Sequence, residues 1–370
     1  MSGRYTRLQK RFRYTRKFET LLSFNLIQSY VERHTEGRAL RALQPVNQLM
    51  TKLVEKYENT RQWSEKIAWT GMACPGAMAL YTDPDGSIFV VICEVHTHSI
   101  RVINKSSSMV VHSWGGFGSD IGQLNSPLGI SVSEQGTIGV CDSRNDRIQF
   151  FEIDGTFLME YHDHVHYPVS IAFIHTNNVV IAEQDNIQVR NSIGQILYLV
   201  GSSGVAPGML SSPMGLSTTT KGNIFVCDTK NHRVQVFSKY GRLRCTLGEG
   251  KLKFPFAISV LPTGEIYVLD TRGVVNGFRI FLAEKDDKIF GITIFHFLEK
   301  KEGEKVGGIA VSENGDLALS IYTKNKVVMY KNYNINKLGD TDDKLTITKY
   351  MDSTTNQTLD GNVVLKLWIP

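Results

Sequence analysis

The chain lacks the sequence features of several protein classes. Its 370 residues include only five cysteines, with no Cys-x-x-Cys pair and no Cys/His spacing typical of zinc sites. This pattern argues against a disulfide framework and a structural metal, so we expect a reduced compartment and no cofactor. No apolar run approaches the roughly 18 residues that cross a bilayer, and no signal peptide is visible. We therefore expect a cytoplasmic protein without a membrane span.

Motifs of catalysis are missing as well. The sequence contains no nucleophile elbow, no phosphate-binding loop and no recurring metal-ligand set. Histidines alternate at His162, His164 and His166, but they would share one face only if that segment were a strand. A polar loop is the stronger interpretation, and a metal cluster the weaker one. We predict a protein that is not an enzyme and binds no metal.

The sequence does contain an internal repeat. Residues 127–155 align without a gap on residues 213–241, and 13 of the 29 positions are identical. Further copies begin at Pro75, Pro168 and Pro255 and near Gly308, so the period is about 43 residues. Six units span roughly residues 75–335. Self-similarity at a fixed spacing predicts units that bury their apolar surfaces by stacking on one another.

Each unit shows the pattern of short strands separated by turns. In one copy, β-prone runs cover residues 214–218, 224–227, 233–237 and 243–247. Glycine-containing turns join the first run to the second and the third to the fourth. Four strands in about 43 residues are typical of a propeller blade, because radial closure protects the sheet edges. The predicted fold is all-β, a six-bladed β-propeller of four-stranded antiparallel blades, with an N-terminal helical segment.

A family resemblance rests on the most regular units. The string V-C-D-x-x-N-x-R-[IV]-Q-[FV]-F occurs at Val140–Phe151 and Val226–Phe237, each preceded by P-x-G and a glycine turn. It resembles the NHL repeat, as in the propellers that end tripartite-motif NHL proteins. The resemblance implies a recognition propeller that binds a protein client, as substrate adaptor in ubiquitin-dependent degradation, or single-stranded RNA. A catalytic RING domain would then belong to another chain, since no Cys/His-rich module is found here.

Charge separates the N-terminal segment from the remainder. Residues 1–60 hold 12 Lys/Arg against 5 Asp/Glu, whereas residues 61–370 hold 29 against 31. We therefore predict a basic N-terminal segment (1–60), a propeller (61–335) and a C-terminal extension (336–370). The Arg-rich start suits a solvated tail best. A mitochondrial presequence and an arm for anionic surfaces are the alternatives.

Two further features concern the ends of the propeller. Apolar residues at helical spacing predict a helix that packs on the propeller or joins two copies as a homodimer; they are Leu43, Val46, Met50, Leu53 and Tyr57. The last blade needs an outer strand. Residues 62–70 and residues 362–370 both qualify, and the sequence leaves this choice open.

Recurring charged residues are expected to maintain the fold. Asp142 with Arg147, and Asp228 with Arg233, lie five positions apart in successive units. A catalytic pair has no reason to recur around a ring, so we predict that each pair fixes a strand-to-strand loop.

The remaining candidates are loop residues expected on one face of the propeller. Cations and aromatic rings alternate there, as single-stranded nucleic acid requires, but acidic neighbours favour a protein client first and RNA second. The candidate binding residues are Phe117, Arg144, His166, Tyr167, Lys230, His232, Lys251, Lys253, Phe254, Arg272, Lys324 and Lys326.

Overall fold

The computed structural model describes most of the chain between residues 64 and 331. The described ranges are 64–174, 178–184, 186–261, 265–270, 276–285, 288–298, 304–312 and 316–331, with short strands between 345 and 365. The chain forms two compact units. The larger contains Trp63–Leu282 and Ile292–Asn332, and the smaller contains Met1–Gln62, Ala283–Gly291 and Tyr333–Pro370. The Arg-rich start and the predicted helix at 43–57 lie outside the described residues.

The larger unit is built from antiparallel sheets of four strands. The chain begins with β1 (Ser64–Trp69), followed by β2 (Pro75–Thr82), β3 (Ile88–Glu94), β4 (Ser99–Asn104) and β5 (Val110–Gly115). The next sheet contains β6 (Pro127–Val132), β7 (Ile138–Asp142), β8 (Arg147–Phe151) and β9 (Phe157–Tyr161). It is followed by β10 (Ser170–Ile174), β11 (Asn178–Ala182), β12 (Ile187–Arg190) and β13 (Ile196–Val200).

Three more sets of strands follow along the chain. One sheet holds β14 (Pro213–Thr218), β15 (Ile224–Asp228), β16 (Arg233–Phe237) and β17 (Leu243–Leu247). Another holds β18 (Pro255–Val260), β19 (Glu265–Asp270), β20 (Asn276–Lys285) and β21 (Lys288–Leu298). The final strands are β22 (Val306–Val311), β23 (Leu317–Ile321) and β24 (Lys326–Lys331).

These strands form a β-propeller, which confirms the predicted architecture of four-stranded antiparallel blades. Six such sheets occur in the described part of the chain, and their innermost strands, β2, β6, β10, β14, β18 and β22, follow one another in a closed cycle. Strand register is defined across all four strands in five blades, and across β18, β19 and β20 in the other. Three 3-10 turns and no α-helix accompany the strands in the described residues. The predicted N-terminal helical segment belongs to residues 1–60, which lie outside the described part of the chain.

The closing blade takes its outer strand from the N-terminal side. Strand β1 pairs antiparallel with β24, with Ala68 opposite Val328, and the strand order of this sheet is β1-β24-β23-β22. Of the two closing segments that the sequence left open, residues 62–70 thus provide the strand. The competing segment contains β28 (Val363–Leu365), which pairs with β25 (Leu345–Ile347) in the smaller unit. The smaller unit also contains β26 (Tyr350–Met351) and β27 (Thr358–Leu359).

The hydrophobic core lies between neighbouring blades. Each cluster combines residues of two successive sheets, such as Val180 of β11 with Val226 of β15. Cys93, Cys141 and Cys227 occupy equivalent positions in three blades and are completely buried. Burial raises the pKa of all three thiols, so they are neutral core residues.

Two glycines of the repeat allow the innermost strands to lie very close together. A Cβ atom added at Gly129 would lie 2.7 Å from Ser170 Cα and 2.8 Å from Val169 O. One added at Gly215 would lie 2.8 Å from Phe256 O, again in the next blade. The P-x-G step therefore reflects packing between blades, since no side chain fits at these positions.

Candidate binding face

One face of the propeller is built from two sets of loops, which we call the loop face. The first set joins the second and third strands of a blade, at residues 143–146, 229–232 and 322–325. The second set joins successive blades, at residues 116–126, 162–169, 201–212 and 248–254. The two sets touch: the N–H of Arg144 donates to Asn125 O, and that of Lys230 donates to Ser211 O, both at 3.1 Å.

A buried carboxylate ties the two sets of loops together. Asp142 Oδ1 accepts a hydrogen bond from the N–H of Asn125 at 2.6 Å. Its Oδ2 accepts from Asn145 Nδ2 at 2.8 Å and from Arg147 Nε at 2.7 Å. Asp142 is completely buried, so the charge-assisted bonds compensate its lost hydration. We call a buried acid with its hydrogen-bond donors from the second-to-third strand hairpin a carboxylate latch.

The guanidinium and amide of this latch reach into the preceding inter-blade loop. Arg147 Nη2 donates to Asp120 O at 2.9 Å and to Gln123 O at 3.0 Å. Gln149 Nε2 donates to Gln123 O at 2.7 Å, and its Oε1 accepts from the N–H of Gly122 at 2.9 Å. The latch thus satisfies backbone groups that the irregular loop leaves without partners.

The same latch recurs two blades later with nearly the same distances. Asp228 accepts from the N–H of Ser211 at 2.7 Å and from Arg233 Nε at 2.7 Å. Arg233 Nη2 donates to the backbone oxygens of Ala206 and Met209. Both pairs therefore hold loop backbone groups in place, and both arginine side chains are buried.

A second version of the latch occurs in the blade between them. Glu183 accepts from the N–H of His166 at 2.9 Å and from Gln188 Nε2 at 3.0 Å. Arg190, seven positions after the acid, donates through Nη2 to Asp163 O and His164 O. Arg147 and Arg233 instead follow their acids by five positions. In the first blade Glu94 likewise pairs with Arg101, seven positions on, at 2.9 Å.

Burial affects the charges of this second version. Desolvation raises the pKa of the Glu183 carboxyl, an effect that hydrogen bonds from His166 and Gln188 oppose. Burial also lowers the pKa of Arg190, while the neighbouring Glu183 opposes that shift. Holding these two charged side chains in the latch therefore costs more desolvation free energy than a surface ion pair would.

Exposed apolar side chains mark one sector of the loop face. Phe117 is 71% exposed and Ile121 is 65% exposed, both in the loop between β5 and β6. The ring of Phe117 meets that of His98 edge-on, with centroids 5.1 Å apart. Tyr167 is 46% exposed, and its N–H donates to Asp146 Oδ1 at 2.7 Å. We call Phe117, Ile121 and Tyr167 the aromatic sector.

Exposed lysines and a histidine form a second sector of the loop face. Lys230 and His232 lie in the turn between β15 and β16, and Lys251 and Lys253 lie in the loop between β17 and β18. All four side chains are exposed, and Glu249 is the acid in the same loop. We call Lys230, His232, Lys251 and Lys253 the basic sector.

The other predicted binding residues differ in how exposed they are. Arg144, His166 and Lys324 are exposed on the loop face. Lys326 is half-buried, with its Nζ 3.4 Å from Glu304 Oε1, and Phe254 is also half-buried. Arg272 lies outside the described residues. Sequence analysis missed Ile121, although it stands in a loop that resembles 201–212.

Searches for other kinds of site in the described ranges add little. No group of three or more His, Cys, Asp or Glu side chains there is arranged to hold a metal ion. His162, His164 and His166 are exposed loop residues. Across the part of the chain that the structure describes, no helix is long and apolar enough to cross a membrane.

Comparison with known proteins confirms the resemblance seen in the sequence. The model of the NHL repeat matches residues 210–237, which contain the latch of Asp228. Protein brain tumor of Drosophila melanogaster is 29% identical over 158 residues, or 40% of this chain and 15% of that protein. The B-box type zinc finger protein ncl-1 of Caenorhabditis elegans is 31% identical over 150 residues, or 38% of this chain and 17% of that protein.

A shorter match connects the chain to human E3 ubiquitin-protein ligase TRIM32. The two are 37% identical over 65 residues, which are 17% of this chain and 10% of the ligase. These relatives are NHL-propeller proteins, and this chain spans under a fifth of the length of each.

Solved structures share the fold at low sequence identity. Virginiamycin B lyase from Staphylococcus aureus has a TM-score of 0.50 at 13% identity and covers 73% of this chain and 99% of that chain. Hydrazine synthase of Kuenenia stuttgartiensis has a TM-score of 0.51 at 14% identity, covering 74% and 81%. At this identity the likeness concerns the fold alone.

Proposed function

We propose that this propeller is a recognition module whose loop face binds a protein client through the aromatic sector. The observation that carries the proposal is the exposure of Phe117 and Tyr167 on loops whose backbone is fixed by carboxylate latches. Rigid, exposed aromatic side chains are the commonest anchors of protein interfaces, because they bury much surface and lose little entropy. The NHL-propeller relatives support a scaffold that binds protein or RNA.

The charges around the aromatic sector favour a protein over a nucleic acid. Asp120, Asp146 and Asp163 lie in the same loops as Phe117, Arg144 and Tyr167, so cations and anions alternate there. A polyanion would meet these carboxylates directly, whereas a protein surface can present both signs of charge. We further propose that the client is passed to ubiquitin-dependent degradation, which the name of the TRIM32 relative supports.

A quantitative affinity-capture experiment tests the client site. Wild-type chain is compared with a variant carrying Phe117→Ser and Tyr167→Ser and with the control variant Met109→Ser. Met109 is 66% exposed and lies in the turn between β4 and β5, at the opposite end of the blade. The recovered amount of each specific client should fall at least tenfold with the double variant and stay unchanged with the control. Equal recovery with all three proteins would contradict the proposal. Ubiquitination of a captured client, with and without the chain, tests the adaptor role separately.

A second candidate function rests on the basic sector. Lys230, His232, Lys251 and Lys253 are exposed close to half-buried Phe254, and single-stranded RNA needs cations for phosphates and rings for bases. Binding to a random single-stranded RNA pool should weaken with salt and with Lys230→Glu plus Lys253→Glu. Lys221→Glu plus Lys239→Glu, in turns at the opposite ends of the same strands, is the charge-matched control. Affinity that ignores salt and both double variants would exclude this function.

A further inference from the structure

The outer edge of one blade carries an unusual uncharged surface. Between Arg190 and Lys221 the sequence contains no Asp, Glu, Lys, Arg or His. Strand β13 lies at the start of this stretch and is the outermost strand of its sheet, so its second edge faces no strand among the described residues. Ile196, Leu197 and Leu199 of β13 are exposed, the last to 59%, and Ile193 in the preceding turn is exposed to 67%.

An adjacent blade extends this surface. The hydroxyl of Tyr198 donates to Lys239 O, which brings the turn between β16 and β17 against β13. In that turn Tyr240 is 71% exposed, and Lys239 Nζ lies 5.2 Å from the centroid of its ring. We call Ile193, Ile196, Leu197, Leu199 and Tyr240 the β13 surface.

The other outer strands of the propeller differ from β13 in sequence. Natural proteins place charges on exposed sheet edges, because an uncharged apolar edge pairs with other chains. A charged residue occurs in four of the other outer strands, namely Lys66 in β1, Glu160 in β9, Arg244 in β17 and Lys288 in β21, and β5 contains His112. The β13 surface has no such residue, and its apolar side chains remain in water in the isolated chain. An exposed apolar patch of this kind marks an interaction site.

We propose that the β13 surface binds a second copy of this chain, with the two β13 strands antiparallel across a two-fold axis. Near a two-fold axis each residue meets its own copy, so a charge there would face a like charge in the partner. The β13 strand itself carries none. Because the same patch serves both copies, the contact closes at a dimer and does not propagate into a filament.

The available area is sufficient for such a dimer. Complete burial of these five side chains would remove roughly 600 Å² per copy from water, so the upper limit for two copies is about 1,200 Å², the lower end of stable specific interfaces. This dimer leaves the loop face free, because β13 forms the side of the propeller. The inference does not depend on the proposed client site.

Light scattering coupled to size-exclusion chromatography tests the dimer with the full chain. Wild-type protein is expected to run as a dimer at a concentration on the order of 50 µM. Leu197→Lys with Leu199→Lys should give monomers with an unchanged far-ultraviolet spectrum. The control Leu158→Lys changes an exposed leucine in the outer strand β9 and should remain dimeric. Hydrogen exchange of β13 amides should also slow as the wild-type concentration rises.

Two outcomes would overturn the proposal. The first is a wild-type monomer at that concentration, with exchange of β13 independent of concentration. The second is a dimer that persists in the Leu197/Leu199 variant and is lost with Met50→Lys plus Leu53→Lys, which would place the contact in the predicted N-terminal helix. Should the leucine variant fail to fold, the concentration dependence of β13 exchange in the wild type decides alone.

Discussion

Arg147 donates through Nε to Asp142 Oδ2 at 2.7 Å, and both side chains are buried between two loops of the propeller. The remaining donors of the guanidinium are taken by loop carbonyls and by Glu160. The pair therefore couples the conformation of the loop face to the stability of the blade. Any change that removes the carboxylate leaves a buried cation without its nearest counter-charge.

Asp142→Asn is expected to lower the free energy of unfolding by about 3 kcal/mol, since breaking a buried ion pair exposes the full desolvation cost of the remaining ion. Urea denaturation followed by fluorescence measures this difference. Glu160→Gln removes a half-buried partner of the same arginine and should cost about 1 kcal/mol or less. Equal losses for the two variants would show that the latch is no stronger than a surface pair.

An arginine five positions after the acid is expected to replace one seven positions after it. Arg190→Gln should lower the free energy of unfolding by about 3 kcal/mol, because Asp163 O and His164 O lose a charged donor. Adding Gln188→Arg should restore more than half of that loss, since this position holds the arginine in the other version of the latch. The same denaturation assay decides. A double variant as unstable as Arg190→Gln alone would disprove the exchange.

Gly129→Ala is expected to destabilise the propeller by about 2 kcal/mol, because the added methyl group meets the backbone of the neighbouring blade. Gly76→Ala is the matched control. Its methyl group would approach Val95 Cγ2 at 3.1 Å, a contact that a side-chain rotation can relieve, and Cys93 O at an ordinary 3.8 Å, so the cost should stay below about 1 kcal/mol. Melting temperatures in the same buffer rank the two variants. Equal melting temperatures for the two variants would show that the inner strands can move apart to accept the methyl group.

Stability should depend on pH through Glu183. The folded protein holds a proton on this carboxyl more tightly than the unfolded chain, because burial raises its pKa from 4.5. The folded state then loses stability as pH rises from the ordinary pKa through the raised one, and keeps this contribution below both values. Glu183→Gln cannot ionise. The difference in unfolding free energy between variant and wild type should change across this pH window. Parallel plots of unfolding free energy against pH would show that Glu183 is not the group responsible.

The strand pattern was predictable because turns and alternation are local properties of the sequence. The predicted run at 233–237 is strand β16, and 243–247 is β17. The Asp142–Arg147 spacing was equally visible, since the two residues flank one short turn. Phe117 and Tyr167 were recognised as loop residues, but their exposure depends on loops fixed by partners more than 20 residues away.

Other features required three-dimensional neighbours. Arg190 was missed because residues five and seven positions after the acid lie on the same face of a strand, so an arginine at either one reaches the same loop. In the first four blades, those with an aspartate (Asp142 and Asp228) alternate with those with a glutamate (Glu94 and Glu183). Units two blades apart are therefore more alike, and the chain matches itself more strongly at an offset of 86 residues than at 43. Gly129 could not be explained from the sequence, since its constraint comes from the next blade.

The pairing of β1 with β24 has a consequence for biosynthesis. The ribosome makes β1 first, yet its partner strand follows only after residues 70–325 have been made, at speeds of about 5–20 residues per second. For many seconds the nascent chain therefore holds an open strand and an incomplete ring. We expect this interval to be when chaperones act on the chain, since long-range strand pairing forms slowly and its open edges promote aggregation.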